Sequence, residues 1–114
     1  MRLLFVCARN RLRSPTAEGV FAAVPGVQTE SAGVAPDADS PVTPELIEWP
    51  DLILVMKPAH LSKLAKRFPN ALGGKRVACL DVPDDYAYMD PELVELLWER
   101  ITRIIPALAI HTPV

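Results

Sequence analysis

Cysteine is scarce in this chain, with two among 114 residues, Cys7 and Cys79. Two thiols that far apart do not make a disulfide scaffold, which excludes a small cross-linked secreted domain and leads us to expect a reduced, cytoplasmic setting. Histidine is equally rare, at His60 and His111. Two separated histidines and two separated cysteines have no metal-ligand spacing, so no metal and no cofactor are expected. No apolar run approaches the length of a membrane span. The start, Met1-Arg2 and then Leu3 to Ala8, is too short and too quickly charged for a signal peptide, so no membrane contact is expected. Neither sign of charge dominates: the net charge is −2, which argues against nucleic acid as a partner.

What is present is an ordinary globular balance, half hydrophobic and 23% charged. The length suits one domain over residues 1–114, able to bury about two-thirds of its unfolded surface. Twelve prolines fall mostly at element edges and read as punctuation. Strands are expected at Arg2–Cys7, Val27–Ala32, Asp51–Met56 and Lys75–Leu80. The third is continuously apolar, as a parallel strand buried on both faces would be. Helices are expected from Pro15 to Val24, Thr43 to Trp49 (capped by Thr43), Pro58 to Phe68, and onward from Asp90-Pro91. The last carries an apolar stripe of Leu93, Leu96, Leu97, Ile101 and Ile104, and Pro106 ends or kinks it. Alternating strands and helices give an α/β fold, a four-stranded parallel sheet flanked by helices in a Rossmann-like three-layer arrangement.

The chain is organised around its first strand and the loop after it. Leu3 to Val6 leads to Cys7; five residues intervene, then come Arg13, Ser14 and Pro15. A helix start offers unpaired N–H groups and a partial positive charge, which bind anions, and successive loop N–H groups can curl into a nest around an oxyanion. Positive potential there favours sulfur as the anion. Arg13 has the planar fork that matches a phosphate, and a thiolate held against phosphorus is a nucleophile. Ala8, Arg9, Asn10, Arg11 and Leu12, together with Arg13 and Ser14, therefore form a phosphate-binding loop, with Ser14 also a candidate helix cap. Displacing an oxygen leaving group needs a proton donor. Asp81, Asp84, Asp85 and Asp90 lie in one loop after the fourth strand, at the same sheet edge as Cys7, where such sheets bind ligands. Asp90 also reads as the cap of the last helix. Tyr86 and Tyr88 can wall a slot for an aromatic phosphoester or serve as packing. Arg9 and Arg11 suit a polyanionic or acidic substrate, with binding that weakens in salt. His60 reads as a surface residue or a helix-start hydrogen bonder, Trp49 as a packing residue, and Cys79 as a buried packing residue.

Phe5-Val6-Cys7 through Arg13-Ser14-Pro15-Thr16-Ala17-Glu18 resembles the corresponding segment of the low-molecular-weight protein tyrosine phosphatases. Ser31-Ala32-Gly33 and Asp51-Leu52-Ile53 to Met56 resemble two further stretches of that family, and Val82-Pro83-Asp84-Asp85-Tyr86 resembles its acid loop. The resemblance implies that Cys7 is the nucleophile, Arg13 the phosphate-binding arginine, Ser14 the hydroxyl on the thiolate, Asn10 the loop-shaping residue and Asp84 the general acid. It implies hydrolysis of a phosphomonoester, on a phosphorylated protein (foremost phosphotyrosine) or a small molecule, through a phosphocysteine. This chain departs from the family pattern at Arg9 (usually glycine), Leu12 (often cysteine), Lys57 (usually aspartate) and Asp85 (proline), and its 35–42 loop is shorter. Two alternatives stand beside this reading. One is a catalytically weak or inactive oxyanion- or phosphoprotein-binding module. The other, less favoured, is an arsenate reductase, which needs further thiols where only Cys79 remains.

Overall fold

A computed structural model of the chain describes residues 1–111. Four parallel strands make one sheet: β1 (Arg2–Cys7), β2 (Gln28–Gly33), β3 (Leu52–Val55) and β4 (Val77–Cys79), in the spatial order β2-β1-β3-β4. β1 is central. Its Phe5 pairs with Ser31 on one side and Leu54 on the other. The helices are α1 (Arg13–Ala22), α2 (Pro44–Glu48), α3 (Pro58–Arg67), α4 (Pro69–Leu72) and α5 (Pro91–Ile104), followed by a 3-10 segment over Pro106–His111.

Successive side chains of a strand point to opposite faces, and β1 is apolar at every position from Leu3 to Cys7. It therefore feeds two cores. Leu3, Phe5 and Cys7 pack with Phe21, Leu97, Trp98 and Ile101 of α1 and α5. Leu4 and Val6 pack with Ile47, Ile53, Val55 and Leu64 beside α2 and α3. Phe21 is central to the first core, with ring centroids 5.7 Å from Phe5 and 4.6 Å from Trp98. Cys79 is half-buried against the second core, whereas Cys7 belongs to the first. No helix among the described residues is long and apolar enough to cross a membrane.

Several local readings change. β3 and β4 are each shorter than expected at both ends, although single backbone hydrogen bonds, such as Met56 N to Val6 O (2.9 Å) and Leu80 N to Val55 O (2.8 Å), continue beyond them. Residues 69–72 form α4, restarted by Pro69 after α3. Helix α1 begins at Arg13, and its capping residue is Leu12, not Ser14; the Ser14 hydroxyl is engaged by sulfur instead. His60 is covered, 6% exposed, and not at the surface. Its other expected role holds, since Nδ1 accepts the Lys57 N–H at 3.1 Å at the start of α3.

Candidate active site

β1 delivers Cys7 to the carboxyl edge of the sheet, between strands whose connections leave in opposite directions. That switch point is where parallel sheets open a crevice. The loop from Cys7 to α1 turns back on the sulfur. Asn10 adopts φ 57°, a left-handed conformation that asparagine tolerates. This points its N–H at Cys7 Sγ, 3.2 Å away. Arg9, where the family usually has glycine, is not among the residues with positive φ; the unusual backbone falls one residue later.

Ser14 Oγ lies 2.8 Å from Cys7 Sγ and 2.9 Å from Asn10 Oδ1. A hydroxyl carries one hydrogen. When Ser14 donates it to Asn10, Cys7 must donate as a thiol. When Cys7 is the thiolate, the Ser14 hydrogen turns to sulfur and the Asn10 amide must present its Nδ2 group to Ser14. The trio thus has one hydrogen-bond arrangement for each protonation state of the sulfur.

Arg13 is 6% exposed. Its Nη1 donates to Val82 O at 3.0 Å, and its Nε lies 3.7 Å from Asp84 Oδ1. The guanidinium thereby joins the loop after β1 to the loop after β4. A cavity of about 340 Å³ opens there, lined by Cys7, Ala8, Arg9, Arg11, Leu12, Arg13 and Asp84. Asn10 and Ser14 are not part of the lining; they hold the sulfur from the side.

Of the four aspartates after β4, Asp84 alone lines the cavity. Asp81 pairs with Lys57 Nζ at 2.7 Å, and that hydrogen bond holds its carboxyl below the ordinary range. Asp90 caps α5 by accepting the Glu92 N–H at 2.9 Å. Asp85 is exposed and outside the lining. Tyr86 is half-buried against the α1–α5 core, Tyr88 is 54% exposed, and neither lines the cavity.

Sequence reasoning missed the groups that hold the acid loop in place. Arg100 Nη1 on α5 donates to Leu80 O and to Asp81 O, each at 2.9 Å. Thr16 Oγ1 accepts the Met89 N–H at 3.1 Å and donates to Leu12 O at 2.6 Å. These span 19 to 73 residues, apart from the local Thr16–Leu12 bond, and no short pattern announces them. His60 is a buried neutral ring near the site. Burial first, and then the Arg13 and Lys63 charges, lower its pKa from 6.5 to about 4.

No family model matches the chain. A protein-arginine-phosphatase of Geobacillus stearothermophilus is 31% identical over 94 residues, 61% of this chain. The match spans 64% of that relative's length. Among solved structures, the low molecular weight protein tyrosine phosphatase from T. tengcongensis superposes with a TM-score of 0.74 at 26% identity, covering 95% of this chain and 99% of that one. The tyrosine phosphatase Wzb from Escherichia coli, in complex with phosphate, gives a TM-score of 0.74 at 25% identity, over 94% of this chain and 97% of that one.

Proposed function

We propose that this chain, a member of the low-molecular-weight protein tyrosine phosphatase family, hydrolyses a phosphomonoester on a protein, foremost phosphotyrosine, through a phosphocysteine intermediate. One observation carries the reading: a sulfur held by a backbone amide and a serine hydroxyl shares a single cavity with a nearly buried guanidinium and one carboxyl group.

Each residue has a distinct task in this reading. Amides of the 8–13 loop and the Arg13 fork take the phosphoryl oxygens, in a preorganised field that needs little rearrangement during reaction. Cys7 thiolate attacks phosphorus in line. The sulfur–phosphorus bond forms as the phosphorus–oxygen ester bond breaks. Asp84, protonated, gives its proton to the leaving oxygen. In the second half a water attacks phosphorus, Asp84 takes a proton from it, and the sulfur–phosphorus bond breaks to restore the thiolate. Ser14 turns its hydrogen to the departing sulfur.

Phosphoarginine is the second reading, favoured by the Geobacillus stearothermophilus relative. Its guanidinium would meet Arg9 and Arg11 at the cavity mouth, a like-charge contact that a phosphotyrosine ring does not make. Initial rates on phosphotyrosine and phosphoarginine separate the two.

The deciding experiment is hydrolysis of p-nitrophenyl phosphate. Turnover is expected, blocked by vanadate and by thiol alkylation. Cys7→Ser is expected to bind phosphate and to lose turnover. Normal hydrolysis by that variant would overturn the mechanism, and phosphate binding by the unaltered chain without hydrolysis would make it a binding module.

A further inference from the structure

Beside the cavity a fixed segment meets two exposed arms. The fixed segment is the short stretch 34–39. It is zipped to the phosphate loop by backbone bonds from Val34 N to Cys7 O (3.0 Å), Ala35 N to Ala8 O (2.8 Å) and Asp39 N to Arg9 O (3.1 Å). Gly33 permits the close approach: a Cβ there would lie 2.6 Å from Ala8 O and 2.6 Å from Ala38 Cβ. Asp37 and Asp39 therefore ride on backbone fixed to the loop that cradles the phosphoryl group. The exposed arms are the long cationic side chains of Arg9 and Arg11, 59% and 49% exposed.

The arms are paired with the fixed carboxylates, Arg9 Nε to Asp37 Oδ2 at 3.9 Å and Arg11 Nε to Asp39 Oδ1 at 3.3 Å. Exposed pairs of this kind bind weakly, so other carboxylates can displace them. The lining is asymmetric as well. Both arginines face the cavity, and neither Asp37 nor Asp39 does. A substrate approaching Cys7 meets cations first, each with a carboxylate behind it. We infer that Arg9 and Arg11 select phosphoprotein segments bearing carboxylates next to the phosphorylated residue, and that Asp37 and Asp39 are built-in competitors which those carboxylates replace. The inference takes its substrate class from the phosphatase reading. The aspartates set a threshold: a neutral flank leaves the arms on their own carboxylates, and an acidic flank draws them over.

The test uses Cys7→Ser protein and two phosphotyrosine peptides of equal length, one flanked by Asp and Glu and the other by Asn and Gln, titrated at low salt. The acidic peptide is expected to bind about threefold tighter or more, the size of one or two exposed ion pairs. The advantage is expected to shrink at high salt as the charges are screened. Adding Asp37→Asn with Asp39→Asn is expected to widen the advantage by about a further threefold. In the Cys7 enzyme the same pair of substitutions is expected to leave p-nitrophenyl phosphate turnover unchanged. Arg9→Gln with Arg11→Gln is expected to remove the acidic preference. Equal binding of the two peptides, or an acidic preference unmoved by the aspartate substitutions, overturns the inference. Failure of the Cys7 enzyme to hydrolyse p-nitrophenyl phosphate strikes the phosphatase reading alone, because the peptide preference is measured in a variant that need not turn over.

Discussion

At the scale of single residues, His60 couples the site to folding. Its ring is almost wholly covered and Nδ1 is taken by the Lys57 N–H, so the proton of the neutral ring sits on Nε2. The folded pKa, about 4, lies below the unfolded value of 6.5. Between those two values the unfolded chain binds more protons. The His60 contribution is therefore complete above pH 6.5 and is lost as pH falls toward 4, on the order of 2–3 kcal/mol in all. Urea midpoints between pH 5 and 7 are expected to fall with falling pH, and His60→Gln to flatten that slope; an unchanged slope would remove His60 as the cause. Asp84 calls for a different measurement. Asp84→Asn is expected to slow esters with poor leaving groups by about 10²-fold or more, and p-nitrophenyl phosphate much less, because nitrophenolate leaves without a proton. Equal slowing of both would point to another acid. That Cys7, Arg13 and Ser14 come together was legible in sequence because they lie within eight consecutive residues. The covering of His60 was not, because it depends on what lies over the start of α3.

At the scale of elements, the phosphate loop and the 34–39 segment stand or fall together. Gly33→Ala would drive a methyl group into Ala8 O and to 2.9 Å from Arg9 C, both backbone positions that cannot swing aside. A loss of roughly 1–3 kcal/mol is expected, with a matching fall in turnover as the loop shifts; a variant with the original melting temperature and rate would show that the segment yields. Gly19→Ala is the comparison. A Cβ there would meet the end of the Met89 side chain, Cε at 2.7 Å, which can move, and alanine favours a helix. Element types were readable from period and punctuation: β1 and β3 as apolar runs, α5 from its stripe and its Asp90-Pro91 start. The edges were less so. Ser14 followed by proline looks like a cap, yet α1 already begins at Arg13, so Ser14 lies inside the first turn and its hydroxyl meets the sulfur. Where the family has proline this chain has Asp85, and the start of the acid loop is held from α5, by Arg100 on Leu80 O and Asp81 O.

At the scale of the whole molecule, the sheet order sets which loops meet. With β1 and β3 in the middle, the loops after β1 and β4 converge over one edge, and Arg13 reaches Val82 across 69 residues of sequence. Alternation predicted that edge; it could not supply the Arg13–Val82 contact, which depends on the length and path of the loop after β4. A ligand that fills the cup and binds only the folded chain stabilises all of it by mass action. Vanadate at about a hundredfold of its dissociation constant is expected to add about 2.7 kcal/mol and to raise the melting temperature by several degrees; no shift would mean that the cup does not take a tetrahedral oxyanion.

The placement of the two sulfurs has its own consequence. Val6 pairs with Val55 and Val55 with Cys79, so a full strand separates Cys7 from Cys79, and the two side chains belong to cores on opposite faces of the sheet. Neighbouring strands lie about 4.8 Å apart, which puts the two backbones well beyond the reach of a disulfide, about 7 Å at most. Peroxide that converts Cys7 to a sulfenic acid finds no second thiol in the same molecule to capture it. A disulfide that protects it has to be made with a thiol from outside, small enough to enter the cavity, and a sulfenic acid left uncaptured is open to oxidation to the sulfinic state, which thiols do not reverse.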